Sequence, residues 1–352
     1  MKPKVHQILL AASVCLGAPL DAQAPAQLTQ FLQRSIGLDA KQLGAIERGE
    51  TVVTSLDTQN SRDVAVFGII TTRVSRDALV RHVRDFPTSL RGPNRVRFGI
   101  FGNPATLGDV QTLAVEKNDA NDLRDCRPGD CKFKLPPSEI RRLHERIDWS
   151  AADLPAQVTA YTRQRLVDYV TGYRAEGDSA MVEYDGPPVV RASDAFAALL
   201  QQSPYVLELA PSLQQYLVTY PRTKLDGGIE LTYWSEDAAP HLRRTLSLTH
   251  LVLYSPPELP GTSVIAAKQI YADHYFEAAF DVTTIVDRPD SSGAAAGGSY
   301  VLVVRRYRFD NLPSGGLLNI RKRAVNALRD QLAADLGRTR ESAEHAVAAT
   351  IR

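Results

Sequence analysis

Cysteine, methionine and tryptophan are scarce in this chain, at three, two and two among 352 residues. That scarcity excludes a disulfide-built miniprotein and leaves no multi-cysteine metal module. An excess of one charge is also missing. Lys and Arg number 41 against 40 Asp and Glu, a formal net charge of +1. No bulk potential exists to gather nucleic acid, and no nucleic-acid partner is expected. After the N-terminal region no apolar run reaches the ~18 residues a membrane helix needs, so none is expected in the mature chain. Catalytic signatures are absent too. Gly177-Asp178-Ser179-Ala180-Met181 lacks the second glycine of a nucleophile elbow, and His144-Glu145 lacks the second histidine of a zinc helix. No Gly-rich phosphate loop occurs. The expectation is therefore no cofactor and no metal ligand set.

What is present starts with an address. Lys2 and Lys4 precede the apolar run Ile8–Leu20, and small residues follow at Ala22, Ala24 and Ala26. This is the layout of a secretory signal peptide, with cleavage expected after Ala26 and a periplasmic or secreted mature protein. The two cysteines left after cleavage lie in Cys126-Arg-Pro-Gly-Asp-Cys131. Pro128-Gly129 suits the centre of a type II turn, which folds one thiol toward the other. A structural disulfide is the expectation for an exported chain; a redox or metal role and free thiols are the alternatives.

Hydrophobic periodicity divides the rest. Strands are predicted over Thr51–Asp57 and Val64–Val74, joined by a turn at Gln59-Asn60-Ser61. Ser75 then caps a helix to Phe86, which Pro87 stops. Helical patterns run from Pro136 to Ile147 and from Pro155 to Tyr173, with shorter ones at 193–202 and 211–219. From Gly228 the texture changes to closely spaced strands at Ile229–Trp234, Thr245–Tyr254, Ser263–Tyr271, Tyr275–Val286 and Ser299–Phe309. Their short spacing predicts an antiparallel meander. Ser291–Ser299 is predicted as a hairpin tip. A long amphipathic helix follows, from about Gly315 to Leu336, with Ser314 as its cap and Leu318, Val325, Leu328, Leu332 and Leu336 on one face.

That order resembles the START-like (helix-grip) superfamily of lipid-transfer and hydrophobic-ligand-binding proteins. The residues behind the resemblance are Asp63–Val74 leading into Ser75–Phe86, the strands from Ile229 to Phe309, and the final helix. It implies an α+β fold in which a curved antiparallel β-sheet wraps around the long C-terminal helix, with an apolar ligand between them. On this reading residues 1–26 are the leader and 27–340 one domain. A mainly helical insertion occupies about 88–227, and 341–352 form a frayed tail.

A sheet folded over a helix must fill the gap or leave room for a ligand. His250 interrupts an apolar row with Leu248 and Val252, and Phe280 sits beside small Ala278 and Ala279. Arg306 ends a strand row that begins apolar, where a guanidinium at a pocket mouth would meet a carboxylate or phosphate. With Leu328 of the helix, these residues are the candidate ligand-binding set, and the expected partner is a hydrophobic small molecule. Two alternatives stand beside it. One is a hydrolase-type enzyme using His250 or His274, since Asp273-His274 lies between Tyr271 and Tyr275. The other is an envelope scaffold that uses the 88–227 segment.

Overall fold

The computed structural model describes residues 23–186, 188–204, 210–239, 242–289, 296–313 and 319–350. Most of the expected leader, the centre of the Ser291–Ser299 tip, and Ser314 and Leu318 lie outside these residues.

Helices α1 (Gln23–Arg34) and α2 (Ala40–Glu47) come first, the latter held by a capping box between Asp39 and Gln42. β1 (Val52–Leu56) and β2 (Asp63–Thr72) pair as an antiparallel hairpin. The Ser75 hydroxyl accepts from the Ala78 amide at 3.4 Å and starts α3 (Arg76–Arg84). Next come the single-turn α4 (Phe86–Ser89) and the strand β3 (Arg95–Ile100). A largely helical stretch then carries α5 (Lys117–Asp125), α6 (Pro137–Arg146) and α7 (Leu154–Glu176). The short pair β4 (Glu183–Tyr184) and β5 (Val190–Arg191) leads to α8 (Ala192–Gln201) and α9 (Pro211–Thr219). Five long strands complete the sheet: β6 (Ile229–Asp237), β7 (Thr245–Tyr254), β8 (Thr262–Ala272), β9 (Phe276–Pro289) and β10 (Ala296–Phe309). The terminal helix α10 spans Ile320–Thr350.

Eight strands form one antiparallel sheet in the order β1-β2-β10-β9-β8-β7-β6-β3. Register shifts at Leu248/Thr249, Arg308/Phe309 and Arg95/Arg97 bend it. The terminal helix crosses the β1–β2 side, where Leu332 and Leu336 pack with Val66, Ile70, Val301 and Val303. This is the helix-grip arrangement, with a helical excursion placed between β3 and β6. The excursion covers the other face of the sheet. There Leu166, Val170, Phe196, Leu199 and Leu213 pack against Leu248, Val252, Phe280 and Leu302. Both faces of the sheet are therefore covered.

Gly68 lets the helix come close. A Cβ on it would lie 2.6 Å from Leu336 Cδ1 and 3.0 Å from Leu332 Cγ. We expect Gly68→Val to push the helix outward and lower stability by about 1–3 kcal/mol, the usual range for overpacking. A urea midpoint shift at constant slope would show it; an unmoved midpoint would mean that the two leucines simply rotate away.

Two expectations need correction. The terminal helix does not stop at Leu336 but continues through Gly337 to Thr350, so 341–352 is not a frayed tail over its described part. Ala343 is buried, and Glu344 accepts hydrogen bonds from the Thr72 hydroxyl at 3.2 Å and the Arg73 amide at 3.3 Å. The helical excursion begins after Ile100, because Arg95–Ile100 inside the 88–227 segment pairs with β6 as a sheet edge. Helices α2 and α5 were not read from the sequence. Both are short, and the mean burial that periodicity detects is low in α5, where Ala120 and Leu123 alone are buried.

Candidate functional site: the cavity between the sheet and the terminal helix

A cavity of about 980 Å³ lies between the bent sheet, α3–α4 and α10. It stands at the upper end of the ~300–1,000 Å³ typical of small-molecule sites. Strand parity explains its lining. On β10 the residues facing α10 are Val301, Val303, Arg305 and Tyr307, and their cross-strand partners on β9 are Ile285, Thr283, Asp281 and Ala279. The row therefore runs from apolar to polar along the strands. At the apolar end Val301, Val303 and Ile265 face Leu328, Leu332 and Leu336. Toward β6, Phe86, Leu90, Leu251 and Tyr233 add a second apolar wall. Exposed Arg91, Pro93, Ala239 and Leu242 also line the cavity, so it reaches the surface between the α4–β3 connection and the β6–β7 turn.

The polar end centres on a block of four residues. Ala267 stands opposite Asp281, Gln269 lies two residues further along the same strand, and Ala279 pairs with Tyr307. The two alanines leave space above the sheet, and the two polar side chains border it. Arg305 Nη2 reaches Asp335 Oδ2 on α10 at 2.7 Å, and Arg305 Nε lies 3.5 Å from Asp281 Oδ2. The Tyr307 hydroxyl donates to Asp281 Oδ2 at 3.3 Å. Burial pushes the Asp281 carboxyl up to about 6 against the opposing pull of Arg305, and burial together with Asp281 holds Tyr307 well above the usual phenol range. Three atoms at this end are buried without a hydrogen-bond partner: Gln269 Oε1, Asp281 Oδ1 and Arg305 Nε. Unsatisfied polar atoms inside a protein are uncommon and call for an explanation.

Of the six residues singled out from the sequence, only Leu328 lines this cavity. His250, Leu248, Val252, Phe280 and Arg306 have the opposite parity and face the helical excursion. The placement of a ligand against those five is corrected accordingly. The physical reason is that the drier, more apolar row of each strand is used to pack helices. Phe280 meets the Phe196 ring edge-on at 5.4 Å, and Leu248 and Val252 are within the same packed core. Arg306 is buried and reaches only the Asp57 carbonyl, at 3.5 Å.

His250 is a structural bridge. The Tyr216 hydroxyl donates to Glu230, so its oxygen accepts from His250 Nε2 at 3.0 Å, while Nδ1 accepts from the Tyr173 hydroxyl at 2.9 Å. Burial first, then the nearby Lys268 charge, lowers its pKa to about 3, and the ring is neutral. Lys268 is itself buried on this face, pairs with Asp178, and lies 4.1 Å from the Phe196 ring centroid. His274 occupies the β8–β9 turn, with Nδ1 2.8 Å from Asp273 Oδ1 and its ring 4.7 Å from Phe133. Among the described residues no nucleophile hydrogen-bonds to either imidazole beyond the tyrosines that hold His250. Among the described residues no group of three His, Cys, Asp or Glu is placed to hold a metal. Cys126 and Cys131 form the disulfide, and the His144 ring bonds the Cys126 carbonyl at 2.8 Å. No described helix is long and apolar enough to cross a membrane.

The cavity residues that sequence reasoning missed are Asp281, Arg305, Tyr307 and Gln269. A signal was available in the pairs Thr249–Gln269 and Asp281–Arg305, polar positions on strands too apolar on their other parity to be exposed there.

Comparison with known proteins adds little. No protein-family model matches the chain, and no curated protein matches it. Among solved structures it is similar to the di-domain ARO/CYC BexL from the BE-7585A biosynthetic pathway. The identity is 12%, the match covers 83% of this chain and 79% of that one, and the TM-score is 0.24. At that score nothing is transferred from it; the helix-grip class rests on the strand order and the position of α10.

Proposed function

We propose that this is an exported protein that binds a hydrophobic or lipid-like small molecule between the sheet and its terminal helix. The observation that carries the reading is the cavity of about 980 Å³, walled by Val, Leu and Ile at one end and bordered by Gln269, Asp281, Arg305 and Tyr307 at the other. A surface-connected pocket of that size with an apolar wall suits a small molecule whose binding removes apolar area from water. The leader-like N-terminus and the Cys126–Cys131 bridge support export into an oxidising compartment.

Native mass spectrometry of the protein purified from the periplasm of the cells that make it tests the proposal. A co-purifying small molecule that is lost on denaturation is the expected result, with Nile red taking its place in the stripped protein. A ligand-free spectrum together with no Nile red binding would overturn it.

A further inference from the structure

We infer that the mouth of the cavity takes the negatively charged head of the ligand, so that the bound molecule is an anionic amphiphile whose apolar body points inward. The inference rests on the binding reading above and specifies the headgroup and its orientation. The ionic side chains deeper in the cavity already have opposite charges beside them. Arg95 Nε lies 3.0 Å from Asp237 Oδ1, Arg243 Nη1 lies 2.6 Å from Asp122 Oδ2, and Arg305 Nη2 lies 2.7 Å from Asp335 Oδ2. Arg338 pairs with the other oxygen of Asp335, and Asp281 faces Arg305. Arg91 is the exception. It lines the cavity and is exposed, and among the described residues no carboxylate pairs with it and no oxygen accepts from its guanidinium. The guanidinium carbon lies 5.9 Å from the Phe98 ring centroid, a contact that uses none of its N–H donors.

The connection that carries Arg91 is fastened to the mouth end of the sheet. Arg95 Nη1 donates to the Leu90 carbonyl at 2.9 Å, and the Ala238 amide donates to the Asn94 carbonyl at 2.8 Å. Arg91 therefore lies near the pair Asp237 and Thr245, where β6 ends and β7 begins. The apolar wall is at the other end of the strands, with Leu251, Ile265 and Val301. From Thr245 to Leu251 the lining covers about 20 Å of β7 at the usual rise per residue, room for an extended apolar body. A head seated against the apolar wall would lose its hydration with nothing to replace it. One seated midway would have to break a buried ion pair, which is costly. An anion beside Arg91 displaces no existing partner and stays in reach of water. A cation at the same place would meet a like charge.

The test uses the full mature protein, stripped of ligand, with Nile red as reporter in dilute buffer at about pH 7.5. At that pH dodecanoate is an anion and dodecylamine a cation, and they share a chain. Dodecanoate is expected to displace the dye at a concentration about fivefold lower than dodecylamine, the scale of an exposed ion pair. In Arg91→Glu that ratio should shrink to within about twofold, and so should the wild-type ratio in about 1 M NaCl, where charges are screened within about 3 Å. Because a ratio is read, a general weakening of binding does not imitate the effect. Dodecyl phosphate, run beside dodecanoate, separates a phosphate head from a carboxylate head; a preference for either anion over the amine supports the inference. It is overturned if dodecylamine competes as well as both anions, or if Arg91→Glu keeps the full preference. Dye that binds without any such preference leaves the cavity reading standing and removes the anionic head alone. If Nile red itself fails to bind, the cavity reading falls and the headgroup inference with it.

Discussion

Replacing Ala267 and Ala279 together by phenylalanine is expected to weaken ligand binding by more than about a hundredfold without lowering the melting temperature. Both residues face the cavity from the floor of the sheet. Larger side chains there occupy the ligand's volume. In a filled core such substitutions strain their surroundings, but here they project into the cavity and gain contacts with its walls. Nile red titration reads the first effect and differential scanning calorimetry the second. Binding within about threefold of the wild type would mean that the ligand lies elsewhere. A large fall in melting temperature would mean that the folded protein has no room for the two rings beside these strands.

The second large effect is a loss of stability in acid that traces to one imidazole. His250 is neutral and buried, with its pKa lowered to about 3, against about 6.5 for an exposed histidine. In the unfolded chain it protonates as the pH drops below 6.5, so the unfolded state binds the extra proton. Its contribution is therefore fully present above pH 6.5 and is lost as the pH falls toward 3, by roughly 4 kcal/mol at the lower end. His250→Gln keeps a hydrogen-bonding side chain between Tyr173 and Tyr216 and has no such titration. Urea unfolding of both proteins from about pH 7 to about pH 4 isolates the difference. The wild type should lose more stability than the variant across that window. Parallel curves would show that the ring is accessible to solvent or already paired with a charge.

Much of the architecture was legible because the sheet's strands keep a period of two and are separated by short turns. The strand Thr245–Tyr254 and the helix started by Ser75 lie where their patterns put them. The missed strand Arg95–Ile100 is an edge element rich in arginine, and its pairing to β6 spans the entire helical excursion, a partnership that no local window reveals. The end of α10 was missed because Gly337 and the charged residues after it imitate a stop. Ala343, at helical spacing from Leu332 and Leu336, is too small to announce a buried face.

The choice of face had a different cause. Alternation identifies the two sides of a strand but not what covers each, and here both sides are covered. On β7 the row with Leu248, His250 and Val252 is the more apolar and was assigned to the ligand. The structure gives that row to the helices and leaves Ser247, Thr249 and Leu251 for the cavity. A ligand chamber retains polar groups that a helix-packing face discards. The polar row was thus the informative one.

β3 and β6 are direct neighbours, with Gly99 opposite Trp234 and Ile100 opposite Tyr233. Everything from Phe101 to Gly228 therefore leaves beside Tyr233 and returns at Ile229 on that same strand, about 13 Å away along it by the rise per residue. In wiring terms the excursion is a closed detour, hung on a single hairpin. The gripping part of the molecule would keep its connectivity if that detour were exchanged for another of different length, so the outer jacket and the inner chamber are free to change independently of each other.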